Sequence, residues 1–308
     1  MEILSATALQ DMGASKRVSC EVPINSLLFV VEVDQGSVYA ELDADLVKST
    51  VGMVSLGTVY LREMLKDPSL TVEYREKDGT KVDFVSDMPL DIAAAISTAG
   101  KGEGAVNLIT NFNATTGKVM VQSITFTVDL TMTLGAIPLD SDQSIDVTLD
   151  FALDTTNIKH KISIQGIEMP LRTNRALTVG DLIVPTELKR KNFDIKDARF
   201  LAVPAMNDDY AFDELSFTYP NGAKVTRTVA ELMGEHLANN DVSITTGYVS
   251  TPLSSIFFIS DEIVAQAVQV EVKKPNDKKT HIYSLIDVIL PGIDPKSVNA
   301  TNELMYDN

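Results

Sequence analysis

The chain has 308 residues, with 43 acidic against 26 basic side chains and a formal net charge of −17. A composition of 44% hydrophobic and 22% charged residues suits a globular protein and excludes wholesale disorder, and a chain of this length most often forms two domains. The acidic excess argues against gripping nucleic acid, which needs Lys and Arg to displace phosphate counterions, and no run approaches the ~20 apolar residues of a membrane-spanning helix.

Met1-Glu2-Ile3-Leu4 has neither the basic start nor the apolar core of a secretory signal, so synthesis in a cytoplasm is expected. Residues 1–17 read as an N-terminal arm, with 2–12 as a short terminal helix. Cys20 is the only cysteine. It cannot form an intrachain disulfide, and it reads as a small buried residue in a strand. Strand-like runs follow at Val18–Ile24, Leu27–Val33, Ser37–Leu42, Val51–Val59 and Ala105–Phe112. From Ile124 to Leu134 every second residue is apolar (Ile124, Phe126, Val128, Leu130, Met132, Leu134) and the residues between are Thr or Asp. A half-buried strand places such a set on one face and a helix cannot. Ile145, Val147, Leu149 and Phe151 repeat the pattern. Later runs lie at Ile158–Met169, Ala198–Val203, Ser243–Val249, Ile263–Lys273 and His281–Leu290. Many short strands between Gly, Pro, Asn and Asp clusters predict an all-β sandwich or barrel.

Helical signals are two. Asp87-Met-Pro-Leu reads as an N-cap with an early proline, leading into Asp91–Thr98. Thr228-Val-Ala-Glu231 is a capping-box pattern leading into Leu232–Ala238. The same local sequence precedes each. Leu70-Thr-Val-Glu-Tyr74, a turn at Asp78-Gly79 and Lys81-Val82 come before the first; Leu215-Ser-Phe-Thr-Tyr219, a turn at Asn221-Gly222 and Lys224-Val225 before the second. Asp-Gly and Asn-Gly favour tight type I′ hairpins. The offset is 145 residues between the tyrosines and 143 between the glycines, which reads as two extra residues in the first turn. Each half then supplies about eight strands and one helix. The expected fold is all-β: two tandem eight-stranded jelly-roll-like barrels, each with one inserted short helix, at residues 18–154 and 155–308.

Two such barrels in one chain, each with a helix late in the strand order, resemble the double jelly-roll major capsid proteins of icosahedral viruses with an internal membrane. The resemblance is one of architecture across nearly the whole chain and rests on no diagnostic motif, so it transfers no site residues. It implies a homotrimer that tiles a capsid lattice, contact with other virion proteins and with internal membrane lipids, no direct nucleic-acid contact, and residence in the virion. Two other readings stay open: another self-assembling phage component such as a tail tube or base plate, and a carbohydrate- or cell-binding β-sandwich. Scarce aromatics and the absence of Trp count against the last.

No catalytic, cofactor or metal residues are assigned, and an enzyme is not expected. His160, His236 and His281 are far apart with no His-Glu-x-x-His pattern, and Glu235-His236 reads as an exposed helical pair. Gly100-Lys-Gly-Glu-Gly104 lacks the Gly-Lys-Ser/Thr ending of a phosphate loop and reads as a linker. Asp140-Ser-Asp142 with Asp146 could offer oxygens to calcium, but it lacks the glycine and glutamate of a dedicated loop; an acidic turn is the plainer reading. Asp208-Asp209 and Asp213-Glu214 read as a long exposed loop. Charge is uneven, −13 over residues 1–154 and −4 over 155–308. The basic clusters Lys189-Arg190-Lys191, Lys273-Lys274 and Lys278-Lys279 read as solvated loops with anionic lipid as a candidate partner.

Overall fold

In a computed structural model the structure describes residues 2–6, 16–20, 22–38, 40–42, 68–98, 106–131, 135–151, 160–204, 212–232, 256–259, 261–275 and 279–293, with a few isolated positions between them. Ten strands and a helix come first in the chain: β1 (Glu2–Ala6), β2 (Lys16–Cys20), β3 (Ser26–Glu32), β4 (Glu41–Leu42), β5 (Ser69–Arg75), β6 (Lys81–Pro89), α1 (Leu90–Thr98), β7 (Asn107–Asn113), β8 (Lys118–Asp129), β9 (Ser144–Asp150) and β10 (Lys161–Ile167). They are followed by β11 (Arg175–Val184), β12 (Arg190–Asp194), β13 (Phe200–Pro204), β14 (Glu214–Thr218), β15 (Lys224–Thr228), β16 (Ile256–Ile259), the short α2 (Asp261–Val264), β17 (Gln269–Lys273) and β18 (Thr280–Ile289).

The chain forms two compact units, one of Met1–Thr98, Gly104–Thr178 and Val288–Asn308, the other of Ala99–Glu103 and Val179–Asp287. In the first, one sheet runs β1-β10-β3-β8-β4 with β7 also on β8, and the other runs β2-β9-β5-β6. In the second the sheets are β11-β18-β13-β16 and β12-β17-β14-β15. Setting β4 and β7 aside and counting strands in chain order within each unit, both give the order 1-8-3-6 in one sheet and 2-7-4-5 in the other. That is the order of an eight-stranded jelly roll, and it occurs twice.

Alternation is what the sheets are built on. β5 and β10 bury every second residue, and β8 does so from Ile124 to Asp129. Phe29 of β3 lies opposite Phe126 of β8, with their rings stacked at 4.8 Å between centroids. The second unit gathers Val184, Leu201, Leu215, Phe217, Val270 and Ile282 into its own core. α1 is buried on almost every side (Leu90, Ile92, Ala93, Ala94 and Ile96), and Ser97 ties it to the sheet by accepting the Asp129 amide at 2.8 Å.

Several expectations are revised. Residues 2–6 are a strand, not a helix, because β1 completes the sheet against β10. The chain does not divide at 154/155: β10, at 161–167, pairs with β3 and β1, so the last strand of the first jelly roll comes after the expected boundary. Asp87 does not cap a helix. β6 runs on to Pro89, and Asp87 sits in it at φ +44°, where the register with β5 slips; its amide donates to Thr71 Oγ1 at 2.9 Å. Two bulges in β6 explain why Phe84 and Val85, adjacent in sequence, are both buried. Of the Ile263–Lys273 run only 269–273 is strand, since 261–264 is helical. The expected Val51–Val59 and Ser243–Val249 strands lie outside the described residues.

The hairpin repeat holds, with its alignment corrected. In the first unit the Gly79 amide donates to the Glu76 carbonyl at 3.0 Å and the Glu76 amide to the Thr80 carbonyl at 2.8 Å. In the second, Gly222 donates to Tyr219 and Tyr219 to Ala223, both at 2.9 Å. Only the glycines take positive φ, +88° and +81°. These are therefore type I turns closed by a glycine bulge, not type I′ turns. The side chains of Asp78 and Asn221 accept from Thr80 and Ala223 in the same manner. The turns are equal in length, so Gly79 matches Gly222, Glu76 matches Tyr219, and Tyr74 matches Phe217. Tyr74 and Phe217 are both fully buried, and the tyrosine-to-tyrosine match is out of step by two.

Candidate functional site

The first polar constellation lies on the β2-β9-β5-β6 sheet. Asp146 of β9 is on the face opposite the core residues Ile145 and Val147, yet it is only 3% exposed, because neighbours on both adjoining strands close over it. It accepts from Ser19 Oγ at 2.6 Å and Arg75 Nε at 3.0 Å, and from Ser144 Oγ at 3.3 Å. Glu73, directly opposite Asp146 in the register, is held by Lys81 at 3.0 Å. Asp142 pairs with Lys77, and the Asp140 amide donates to Gln143 Oε1 at 2.9 Å. The Asp142 and Asp146 carboxylates thus go to separate cations, Lys77 and Arg75, instead of converging on one point. Among the described residues no group of three or more His, Cys, Asp or Glu could hold a metal ion.

The histidines have separate environments. His160 is fully buried, and its Nδ1 accepts the Asp34 amide at 3.0 Å. Burial pushes its pKa below the ordinary histidine value, against the opposing pull of the Asp34 carboxylate. His281 on β18 faces Asp181 on β11, at 2.8 Å from Nδ1 to Oδ2. Glu235-His236, the Gly100–Gly104 stretch and Asp208-Asp209 lie outside the described residues.

The clusters at Lys189–Lys191 and Lys273-Lys274 are not free loops, and Lys278 lies outside the described residues. Arg190 and Lys191 lie in β12, whose register sets Arg190 opposite Lys273. Arg190 reaches Glu271 at 3.3 Å, and Lys273 reaches Glu214 at 3.3 Å and Asp213 at 3.9 Å. Lys191 donates to the Ile183 carbonyl at 2.9 Å and lies 4.8 Å from the Phe193 ring centre. Lys274 is 3% exposed, with its ammonium donating to the Pro185 carbonyl at 2.6 Å. Asp213 and Glu214, expected in an exposed loop, stand at the start of β14 and serve this network. Charge in this sheet is consumed by cross-strand pairing.

One constellation had no local signal. The Tyr74 hydroxyl donates to the Pro291 carbonyl at 3.0 Å, and Gln143 Nε2 approaches the Gly292 carbonyl at 3.4 Å. Gly292 has φ +72°, and a Cβ there would lie 1.9 Å from Glu76 Oε1. Burial, then the nearby Glu76 and Asp140 carboxylates, push the Tyr74 pKa up to about 12. The hydrogen bonds join residues 217 and 149 positions apart, so only the fold could show them. The segment after β18 is seated on the β5 and β9 ends of the first jelly roll.

No protein-family profile matches the chain, and no curated protein sequence does. Among solved structures it is similar to the major capsid protein from bacteriophage PM2, with 9% identity and TM-score 0.46 over 95% of this chain and 99% of that one. It is similar also to the mavirus major capsid protein, with 9% identity and TM-score 0.33 over 93% of this chain and 86% of that one. A third likeness is to a chain of the Sulfolobus turreted icosahedral virus, with 8% identity and TM-score 0.20 over 93% of this chain and 58% of that one.

Proposed function

We propose that the chain is the major coat subunit of an icosahedral virion, acting by assembly and not by catalysis. Its partners would be copies of itself and other virion proteins, without direct contact to nucleic acid, which the net charge of −17 opposes. The observation that carries this reading is the repetition of one jelly-roll strand order in both units of a single chain. Jelly rolls close most of their strands into facing sheets and leave few edges open to uncontrolled pairing. Two bodies of one topology per chain give six bodies in three copies. A cyclic trimer is the closed arrangement that turns these into a six-cornered tile, and it is the assembly state proposed here. At TM-scores below 0.5 the likenesses to solved capsid proteins add no weight beyond the strand order. A lipid membrane beneath the shell follows from the family resemblance alone: the Arg190, Lys191, Lys273 and Lys274 cations are engaged within their own unit.

Native mass spectrometry and negative-stain microscopy of the purified chain test this, with liposome flotation alongside. Trimers with a six-cornered outline, or closed shells, are expected. A stable monomer at micromolar concentration that enters no particle would refute the coat-subunit reading, and rings or tubes would move it to a tail component. Trimers that ignore anionic liposomes would remove only the membrane.

A further inference from the structure

β7 stands outside the eight-strand order and forms an outer strand of its sheet, paired to β8 on one side and to no other strand among the described residues. An open edge is a template for another strand, and proteins protect theirs with charge, proline, bulges or brevity. The other edges here follow that rule. β1, β2, β4, β6, β11, β12 and β15 each contain at least one charged residue, and β16 has only four residues. β7 has seven residues with neither charge nor proline, and the slip in its ladder puts the extra residue on β8. Its sequence is Asn-Leu-Ile-Thr-Asn-Phe-Asn, and residues 104–117 contain no Asp, Glu, Lys or Arg in a chain of charge −17. Ile109 is 48% exposed and Phe112 64%.

We propose that β7 pairs antiparallel with β7 of a second copy of this chain, about a two-fold axis through Thr110. Two observations select a second copy as the occupant. Copies carrying −17 each repel one another, so strand pairing between them is favoured where neither side brings charge, and β7 is the long edge that meets this condition. A two-fold contact must also be self-complementary. About Thr110 the strand pairs Asn107 with Asn113, Leu108 with Phe112, and Thr110 with itself. Because the slip in the β7–β8 ladder lies between Ile109 and Thr110 with its extra residue on β8, β7 keeps its own alternation. Leu108 and Phe112 therefore share a face, and each Phe112 lands beside Leu108 of the partner subunit. Seven residue pairs bury far less than the ~1,200 Å² of a stable interface, so the contact is weak singly and gains strength where many copies are already held together. It goes beyond the trimer proposed above and does not depend on it.

The test uses the full chain. In Thr110→Cys the two sulfurs would stand across the axis, where opposed Cβ atoms are about 4.5–5.5 Å apart, near the ~3.5–4.5 Å of a disulfide; the native Cys20 is buried. Mild oxidation should give a covalent dimer of Thr110→Cys and none of wild type. Thr110→Lys should remove the association that goes beyond any trimer in sedimentation velocity and leave the trimer itself in place, and Ile109→Lys takes its place if that variant melts early. A reduced Thr110→Cys monomer after oxidation, or lysine variants that associate as wild type does, would overturn the pairing. Trimers or shells without the disulfide would overturn it and leave the coat-subunit reading intact. Disulfide dimers without any particle would support the pairing and remove that reading.

Discussion

Replacing Gly222 by Val isolates a single backbone cost. Gly222 closes the β14–β15 turn at φ +81°, in the left-handed region that a β-branched residue enters only under strain. No atom lies within 4 Å of where its Cβ would stand, so no clash adds to the backbone cost. That cost is about 1–2 kcal/mol for a residue with a side chain. At roughly 3–7 °C per kcal/mol for a unit of a little over 100 residues, the melting temperature should fall by about 3–14 °C in differential scanning calorimetry. Gly79 has φ +88°, the same hydrogen bonds and equally open surroundings, so Gly79→Val should lose a similar amount. Asn enters the left-handed region more readily than Val, so Gly222→Asn should recover most of the loss. Unchanged melting in both Val variants, or an Asn variant as damaged as the Val one, would refute the turn assignment.

Gly292→Ala should cost more than Gly222→Ala, because its φ of +72° is joined by a Cβ position 1.9 Å from Glu76 Oε1; Gly292→Ala combined with Glu76→Ala should recover part of the difference in urea unfolding. Tyr74→Phe removes the donor to the Pro291 carbonyl and should cost about 1 kcal/mol, with faster amide exchange in residues 288–293 as the readout. Thr228 caps the helical turn at 229–232, with its hydroxyl accepting the Glu231 amide at 3.3 Å; Thr228→Ala should cost about 1 kcal/mol, measured by thermal melting. His160 has its pKa lowered by burial, so the folded state resists a proton that the unfolded chain takes up below about pH 6.5. Its contribution is whole above that pH and is lost as the pH falls towards the folded value. Wild type should therefore lose more stability than His160→Gln between pH 7 and pH 5, and equal slopes would count against the buried neutral ring.

Where the physics was local, the sequence was legible. The alternation at Ile124–Val128 announced β8, the Asn-Gly and Asp-Gly pairs announced two equivalent hairpins, and Thr228 with Glu231 announced a capping box whose contacts are present. It misled where a neighbour overrides a local preference. Asp87 followed by Pro89 looks like a helix start, but pairing with β5 keeps those residues in β6 as far as Pro89. Lys189-Arg190-Lys191 looks like a solvated loop, but two of the three lie in a strand whose partner carries Glu271 within reach of Arg190.

The sequence by itself determined that the chain is all-β, that it holds a matching hairpin twice, and that it lacks familiar catalytic motifs; the helix expected at Leu232–Ala238 lies largely outside the described residues. Alternation, turn chemistry and capping each act over a few residues, and a few residues suffice to read them. Strand order was decided only by tertiary structure, because the pairing of β1 with β10 or β11 with β18 depends on which edges remain once closer strands have paired. The same holds for the division of the chain, since the burial of Ile162 and Ile164 in the first jelly roll is a property of the sheet they join. It holds equally for Tyr74 and Pro291, which lie 217 positions apart and meet only in the folded chain.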